Sequence, residues 1–263
     1  MPAARVSRGR LVGLGGIVAL LGVGFPDVGN GSVIPTAHRY NGSPSVGALF
    51  DSPHASEHTS TASVIDSPGG DLLITAAHAI RGSGRGYVFV PAYDKGKEPY
   101  GAWTVTAAFS PAAWGGVDSD SADVAFLVVA PQRRHGRLVT LQSLTGGHAL
   151  GSAPARGEKV TVPAYESGQD DQPFTCLATV YYDNAFPAFA CHSYPGGTSG
   201  SPWLAAAPGG PVVVGVIGGL HQGGCQAVTS YTSSFGAQVR SAYAEAVRDK
   251  NPDVLPGPGN DGC

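Results

Sequence analysis

Apolar and β-branched residues come in short runs along this chain, each closed by Gly, Pro, Ser or Asp, the pattern of brief strands separated by turns. The runs are Val46 to Phe50, Thr61 to Ile65, Leu72 to Thr75, Gly86 to Val90, Ala102 to Phe109, Asp123 to Ala130, Lys159 to Val162, Thr175 to Tyr182 and Val212 to Gly219. In one of them Trp103, Val105, Ala107 and Phe109 alternate with Thr104, Thr106 and Ala108, the two-residue period of a half-buried strand. Only Ser234 to Lys250 carries a helical period. There Phe235, Val239, Tyr243 and Val247 recur every four residues behind a Ser cap, and Asn251-Pro252 ends the pattern. Pro252 to Cys263 reads as a tail of loop. Many short strands predict an all-β sandwich or barrel, and the polar stretch Gln132 to Gly151 is the best internal seam if there are two small barrels.

The N-terminus breaks from this pattern. Arg5, Arg8 and Arg10 precede the apolar run Leu11 to Phe25, the basic-then-apolar shape of a secretory signal. The run falls short of the ~20 residues that a spanning helix needs. Residues 1–25 are therefore expected to be a signal peptide and 26–39 a short leader or pro segment, with the rest exported and not held in a membrane. Composition narrows the class further. Gly and Pro make up 60 of 263 residues, hydrophobic residues 42% and charged residues only 13%; the last figure, against a typical ~25%, argues against a coiled coil, a basic nucleic-acid binder and an acidic tail. Without residues 1–25 the chain has 13 basic and 19 acidic residues and is mildly acidic.

Three segments carry chemistry when read together. The first, Leu73-Ile74-Thr75-Ala76-Ala77-His78, is a strand ending in small residues and a His. The second, Ser121-Ala122-Asp123-Val124-Ala125-Phe126-Leu127, puts an acid at the mouth of an apolar strand, and the third is Gly196-Gly197-Thr198-Ser199-Gly200-Ser201-Pro202-Trp203. A hydroxyl becomes a nucleophile at neutral pH only beside a general base, and an imidazole base needs an acid to hold its tautomer and stabilise its charged form. The glycines let the backbone turn so that the Gly197 and Ser199 N–H groups can face a developing oxyanion. Each residue alone has an ordinary structural explanation; the chain order His, Asp, Ser is what distinguishes the set. An α/β-hydrolase needs Asp and then His after the Ser, and the only later His, His221, precedes every later Asp. The order Asp, His, Ser of the subtilisins lacks its parallel α/β pattern here. Asp118 and Asp120 compete for the acid's role, but both lie in a polar run, whereas Asp123 leads into apolar residues where a charge has leverage.

Thr75-Ala76-Ala77-His78, Asp123-Val124-Ala125-Phe126-Leu127 and Gly197-Thr198-Ser199-Gly200-Ser201-Pro202 resemble the signature segments of the chymotrypsin-like (trypsin-like) serine proteases. The chain is most similar to small secreted bacterial members, over about residues 40 to 250. The resemblance implies two six-stranded antiparallel β-barrels, at 40–140 and 141–250, the second followed by a C-terminal α-helix, with a tail at 251–263. It implies that Ser199 is the nucleophile, His78 the general base then acid, Asp123 the residue that orients it, and the Gly197 and Ser199 amides the oxyanion hole. The expected activity is endopeptidase action on a polypeptide by a secreted monomer, without metal, other cofactor or nucleic acid. The rival reading is a catalytically inactive relative that binds a partner through the same cleft.

Departures from the family refine these expectations. Ala79 and Ser60 occupy places where many relatives have a disulfide, and Thr198 stands where animal members have the Asp that receives a new N-terminus, so that activation switch is expected to be missing. Gly218 replaces a Ser that in relatives supports the triad acid. Four Cys allow three pairings; the resemblance implies Cys176 with Cys191, which leaves Cys225 with Cys263. In the resemblance the base of the specificity pocket falls at Ser193 and its wall at Gly218, Gly219 and Leu220. No Asp or Glu occurs in Asn184 to Trp203 or in Pro211 to Phe235, so an uncharged pocket is expected, with a Glu-preferring pocket using His221 as the runner-up. His38, His54, His58, His135 and His148 lack metal-ligand spacing, His192 reads as a surface residue, and Arg133-Arg134-His135-Gly136-Arg137 reads as a solvated linker face.

Overall fold

Six strands, Val46–Phe50, Ser60–Ile65, Leu72–Thr75, Ala125–Val129, Trp103–Phe109 and Val88–Pro91, follow one another around a closed antiparallel barrel, the last pairing back onto the first. These come from a computed structural model that describes residues 33–115, 120–169, 171–248, 251–260 and 262–263. Residues 1–25, expected as a signal peptide, and Asp118 lie outside the described residues. Leu49, Val64, Leu73, Phe89, Trp103 and Leu127 fill the barrel interior. On one side the outward face is buried too: Ile65, Leu72, Ile74, Phe109 and Phe126 pack against Val213, Val216 and the C-terminal helix. That second contact removes the alternation from strands such as Ser60–Ile65, which is buried at every position, while Trp103–Phe109 keeps exposed and half-buried positions among its buried ones.

The second half corrects the expectation of a matching barrel. Its six strands run in the order His38–Arg39, Phe174–Thr179, Lys159–Ala164, Pro202–Ala205, Val212–Val216, Ala149–Leu150, and the sheet does not close. Its last pair is parallel. Both edge strands are only two residues long, and the strands that could extend the ladder form a separate sheet of Tyr181–Asp183, Phe186–Ala190 and Thr229–Tyr231. Pro187 within that sheet has no N–H to give to a ladder. The two sheets are joined instead by the Cys176–Cys191 disulfide and by packing, with Phe189 edge-on to Trp203 at 4.9 Å between ring centres. The architecture is thus one closed six-stranded barrel, one open six-stranded sheet and a C-terminal helix.

The helix spans Ala237–Arg248 and buries Val239, Ala242 and Ala246. Its stripe advances by three and four residues, as 3.6 per turn requires, so Val247, on the expected every-fourth spacing, is exposed instead. Two stretches outside the expected strands, the tail read as loop and the seam, are paired. Leu255–Pro256 in the tail pairs with Arg81–Gly82, and Gln132–Arg134 forms a hairpin with Arg137–Val139 in the seam. His38–Arg39, in the segment expected as leader, pairs with Phe174 and Thr175 of the second sheet.

Candidate active site

His78 follows the Leu72–Thr75 barrel strand by three residues, after Ala76 and Ala77, whose small side chains are fully buried. Asp123 leaves the short 3-10 turn Asp120–Ala122 just before the neighbouring strand Ala125–Val129. Leu72–Thr75 and Ala125–Val129 are hydrogen-bonded partners, so the barrel itself brings His78 to Asp123 across 45 residues of sequence. Ser199 arrives from the second half, in the turn before Pro202–Ala205. The Gly200 N–H bonds to the Ile217 carbonyl at 2.7 Å and the Thr61 N–H to the Ser199 carbonyl at 2.9 Å, tying that turn to both halves.

The three side chains form one line. His78 Nδ1 lies 2.7 Å from Asp123 Oδ2, and His78 Nε2 lies 2.8 Å from Ser199 Oγ. Asp123 is fully buried and its carboxylate accepts two further bonds, from the His78 N–H at 2.9 Å and the Gly219 N–H at 2.8 Å. With the carboxylate on Nδ1, that nitrogen carries the proton and Nε2 is free to accept from the Ser199 hydroxyl. Gly218 explains how the acid is held without a Ser: a Cβ there would stand 2.9 Å from Asp123 Oδ2, and the next backbone N–H supplies the bond. Asp120 is not in this line; its carbonyl accepts from Ser233 Oγ at 2.7 Å.

Gly197 has φ +94°, a conformation that only glycine adopts readily. Neither the Gly197 nor the Ser199 N–H has a protein acceptor among the described residues. Thr198, where an acid would receive an ammonium, instead gives its hydroxyl to the Pro195 carbonyl at 2.8 Å. That arrangement needs no incoming charge.

A cleft of about 460 Å³ adjoins Ser199. His78, Tyr194, Pro195, Ile217, His221, Gly223, Gly224, Thr229 and Ser230 are among its lining residues, and none of the lining residues is a carboxylate. Burial pushes the Tyr194 phenol far above its ordinary range, so it stays neutral, and its hydroxyl donates to the Val162 carbonyl. Of the expected pocket residues, His221 lines this cleft, whereas Ser193, Gly218, Gly219 and Leu220 do not. Ser193 lines a neighbouring cavity of about 470 Å³ with Arg39 and Glu166, which form an ion pair. The sequence reading missed Tyr194, Ile217, Thr229 and Ser230 as cleft residues; the strand Thr229–Tyr231 is too short to show a period.

Cys176 pairs with Cys191 as the resemblance implied, and the remaining two, Cys225 and Cys263, pair with each other. This second disulfide anchors the tail to the cleft wall that carries His221. His221 lies with Cys225 and Cys263 as a compact trio, but the two sulfurs are bonded to each other and cannot serve as thiolate ligands. His192 is exposed, and its N–H and carbonyl bond to Pro35 and Ala37 of the N-terminal segment.

The fold and the site together define the trypsin-like serine protease fold. Comparison with solved structures agrees. The chain is similar to the protease Anisep from Arthrobacter nicotinovorans, with 23% identity over 81% of this chain and 99% of that one, at a TM-score of 0.68. It is similar to a thermostable serine protease from an extremophilic microorganism, with 22% identity over 79% and 99% of the two chains and a TM-score of 0.65. A Glu endopeptidase matches at 12% identity over 81% and 97%, with a TM-score of 0.63. No protein-family model matches the chain, and no curated protein sequence does.

Proposed function

We propose that the protein is a secreted serine endopeptidase that cleaves polypeptides through an acyl-enzyme on Ser199. The observation that carries this reading is the unbroken line from Ser199 Oγ through His78 to the buried Asp123 carboxylate, beside the Gly197 and Ser199 N–H groups, which have no protein acceptor among the described residues. Ser199 Oγ attacks the scissile carbonyl carbon as His78 Nε2 takes its proton, and Asp123 stabilises the imidazolium that results. The oxyanion accepts from the Gly197 and Ser199 N–H groups. His78 then protonates the leaving amine, activates a water against the ester, and returns the proton to Ser199.

Specificity follows from the cleft lining. A buried Lys or Arg side chain needs a carboxylate partner, and the cleft offers hydroxyls, glycines, Ile217, a neutral Tyr194 and, at the position of the runner-up Glu-preferring pocket, His221. We infer a preference for an uncharged side chain before the scissile bond. No helix among the described residues is long and apolar enough to cross a membrane. A fluorophosphonate probe, which reacts only with an activated Ser, tests the proposal. The expected result is one adduct on the peptide containing Ser199, lost in S199A and H78A. An unlabelled wild-type protein would defeat it and leave a protease-like binding module.

A further inference from the structure

The oxyanion hole depends on which way two peptide planes face, and in a trans peptide the N–H points opposite to the preceding carbonyl. The Ser199 N–H is aimed by the Thr198 carbonyl, which accepts from the Ser201 N–H at 3.0 Å within the same turn. The Gly197 N–H is aimed by the Gly196 carbonyl, and the bond to that carbonyl comes from outside the turn, from the Ser167 N–H at 2.9 Å. Gly197 lies so close that a Cβ on it would stand 2.0 Å from Ser167 N. Half of the oxyanion hole is therefore set by the position of the Ser167 backbone.

A buried hydrogen-bonded pair of side chains fixes Ser167. His58, in the connection between the first two barrel strands, exchanges backbone bonds with Gly168 at 3.0 and 3.2 Å. Its side-chain Nε2 lies 2.6 Å from Asp171 Oδ1, with the His58 side chain fully buried and that of Asp171 nine-tenths buried. The imidazole sits edge-on to Phe50, Tyr93 and Tyr165, with ring centres 5.4 to 5.8 Å away. His58 Nδ1 and Asp171 Oδ2 have no other partner among the described residues, so each side chain depends on the other. Thr61 completes the brace: its hydroxyl accepts from the Tyr165 N–H at 3.0 Å and reaches the Gly197 carbonyl at 3.2 Å.

We propose that the buried His58–Asp171 pair, with Thr61, positions the oxyanion hole by fastening the Tyr165–Gly168 backbone to the barrel, so that the Gly196–Gly197 peptide presents its N–H to the cleft. It supplies order that the Thr198 position does not, since that side chain is neutral and satisfied within its own turn. His58 and Asp171 touch no reacting atom and are positioning residues. The inference rests on the serine-protease reading, and the test separates the two.

Purified wild-type protein is first labelled with a fluorophosphonate and assayed on fluorogenic peptides; failure of both overturns the site reading and this proposal with it. Given an active wild type, D171A is expected to lower kcat at least tenfold with KM within about threefold, because removing an oxyanion donor costs about 10²–10³ in kcat and misaiming one costs less. Affinity for a peptide boronic acid, whose tetrahedral oxygen occupies the same hole, should fall by the same factor as kcat/KM. D171N, whose Oδ1 still accepts from His58 Nε2–H, should recover most of the loss. A D171A protein with kcat within about twofold of wild type, one impaired through KM alone, or a D171N protein as impaired as D171A would overturn the proposal. Should D171A fail to fold, T61V carries the same test through the Tyr165 N–H, whose acceptor it removes from the Tyr165–Gly168 backbone, with the same kcat-and-boronate signature expected and its absence decisive against.

Discussion

Replacing Gly218 by Ser restores the residue that relatives use to support the triad acid, yet in this protein it should damage catalysis. A Cβ at 218 would stand 2.9 Å from Asp123 Oδ2, 3.0 Å from the Asp123 carbonyl oxygen and 3.3 Å from Ala76 Cβ. The second and third neighbours are backbone and a fully buried methyl, so the carboxylate is the group that must give. It accepts from Gly219 N and His78 Nδ1 through the same oxygen, at 2.8 and 2.7 Å, and a hydrogen bond to a charged group is worth about 1.5–3 kcal/mol. Straining one of them should lower kcat about 10- to 100-fold, or about 1.4–2.7 kcal/mol on the barrier, well short of the ~10⁴ that follows when a triad acid loses its charge. Overpacking should also cost about 1–3 kcal/mol of stability. The assay is kcat on a fluorogenic peptide for G218S and G218A, with urea denaturation of both. Because the Cβ is the offending atom, the two variants should fall together. Full activity in either, or Ser outperforming Ala tenfold, would refute the argument that backbone N–H support has replaced the hydroxyl.

S199A and H78A should each lower kcat by about 10⁶ in a folded protein, with the double variant hardly worse, because the pair acts as a unit; additive losses would reject the assignment. Burial lowers the pKa of His148, whose Nε2 meets Ser45 Oγ at 2.8 Å. The unfolded chain then takes up a proton near pH ~6.5 that the folded chain refuses, so stability is full above that pH and drains as pH falls; H148Q should flatten the melting temperature's pH profile over that window, and an unchanged slope would count against it. Opening Cys225–Cys263, separated by 38 residues, should cost about 4 kcal/mol, against about 3 for Cys176–Cys191, separated by 15, as measured by denaturation of C263S and C191S. Profiling on a peptide library should give cleavage after uncharged residues, and a tenfold preference for Lys or Arg would contradict the neutral cleft.

The residues that line up at the site, Ser199, His78 and Asp123, were the easiest to read, because a hydroxyl nucleophile needs a base and an acid and few segments offer all three in a workable order. The strands around them were legible wherever apolar or β-branched residues dominated a run of four or more without a proline. The element Phe186–Ala190 was hidden by its Pro and its alanines, and Pro202–Ala205 by the Pro and Trp after the nucleophile. Closure is illegible for a different reason: alternation reports which face of a strand is covered, and an open sheet and a barrel cover it alike. His58 is the instructive case. Among scattered histidines it has no partner within reach in sequence, since Asp171 lies 113 residues away. Gly197 gave a local sign, because a Gly at φ +94° whose Cβ space belongs to Ser167 must be glycine, but the identity of that neighbour is a property of the fold. The triad is a matter of residue types and so was legible before the fold. The aim of the amides that would face the oxyanion is a matter of backbone bonds between the two halves, and only the folded chain brings those donors and acceptors together.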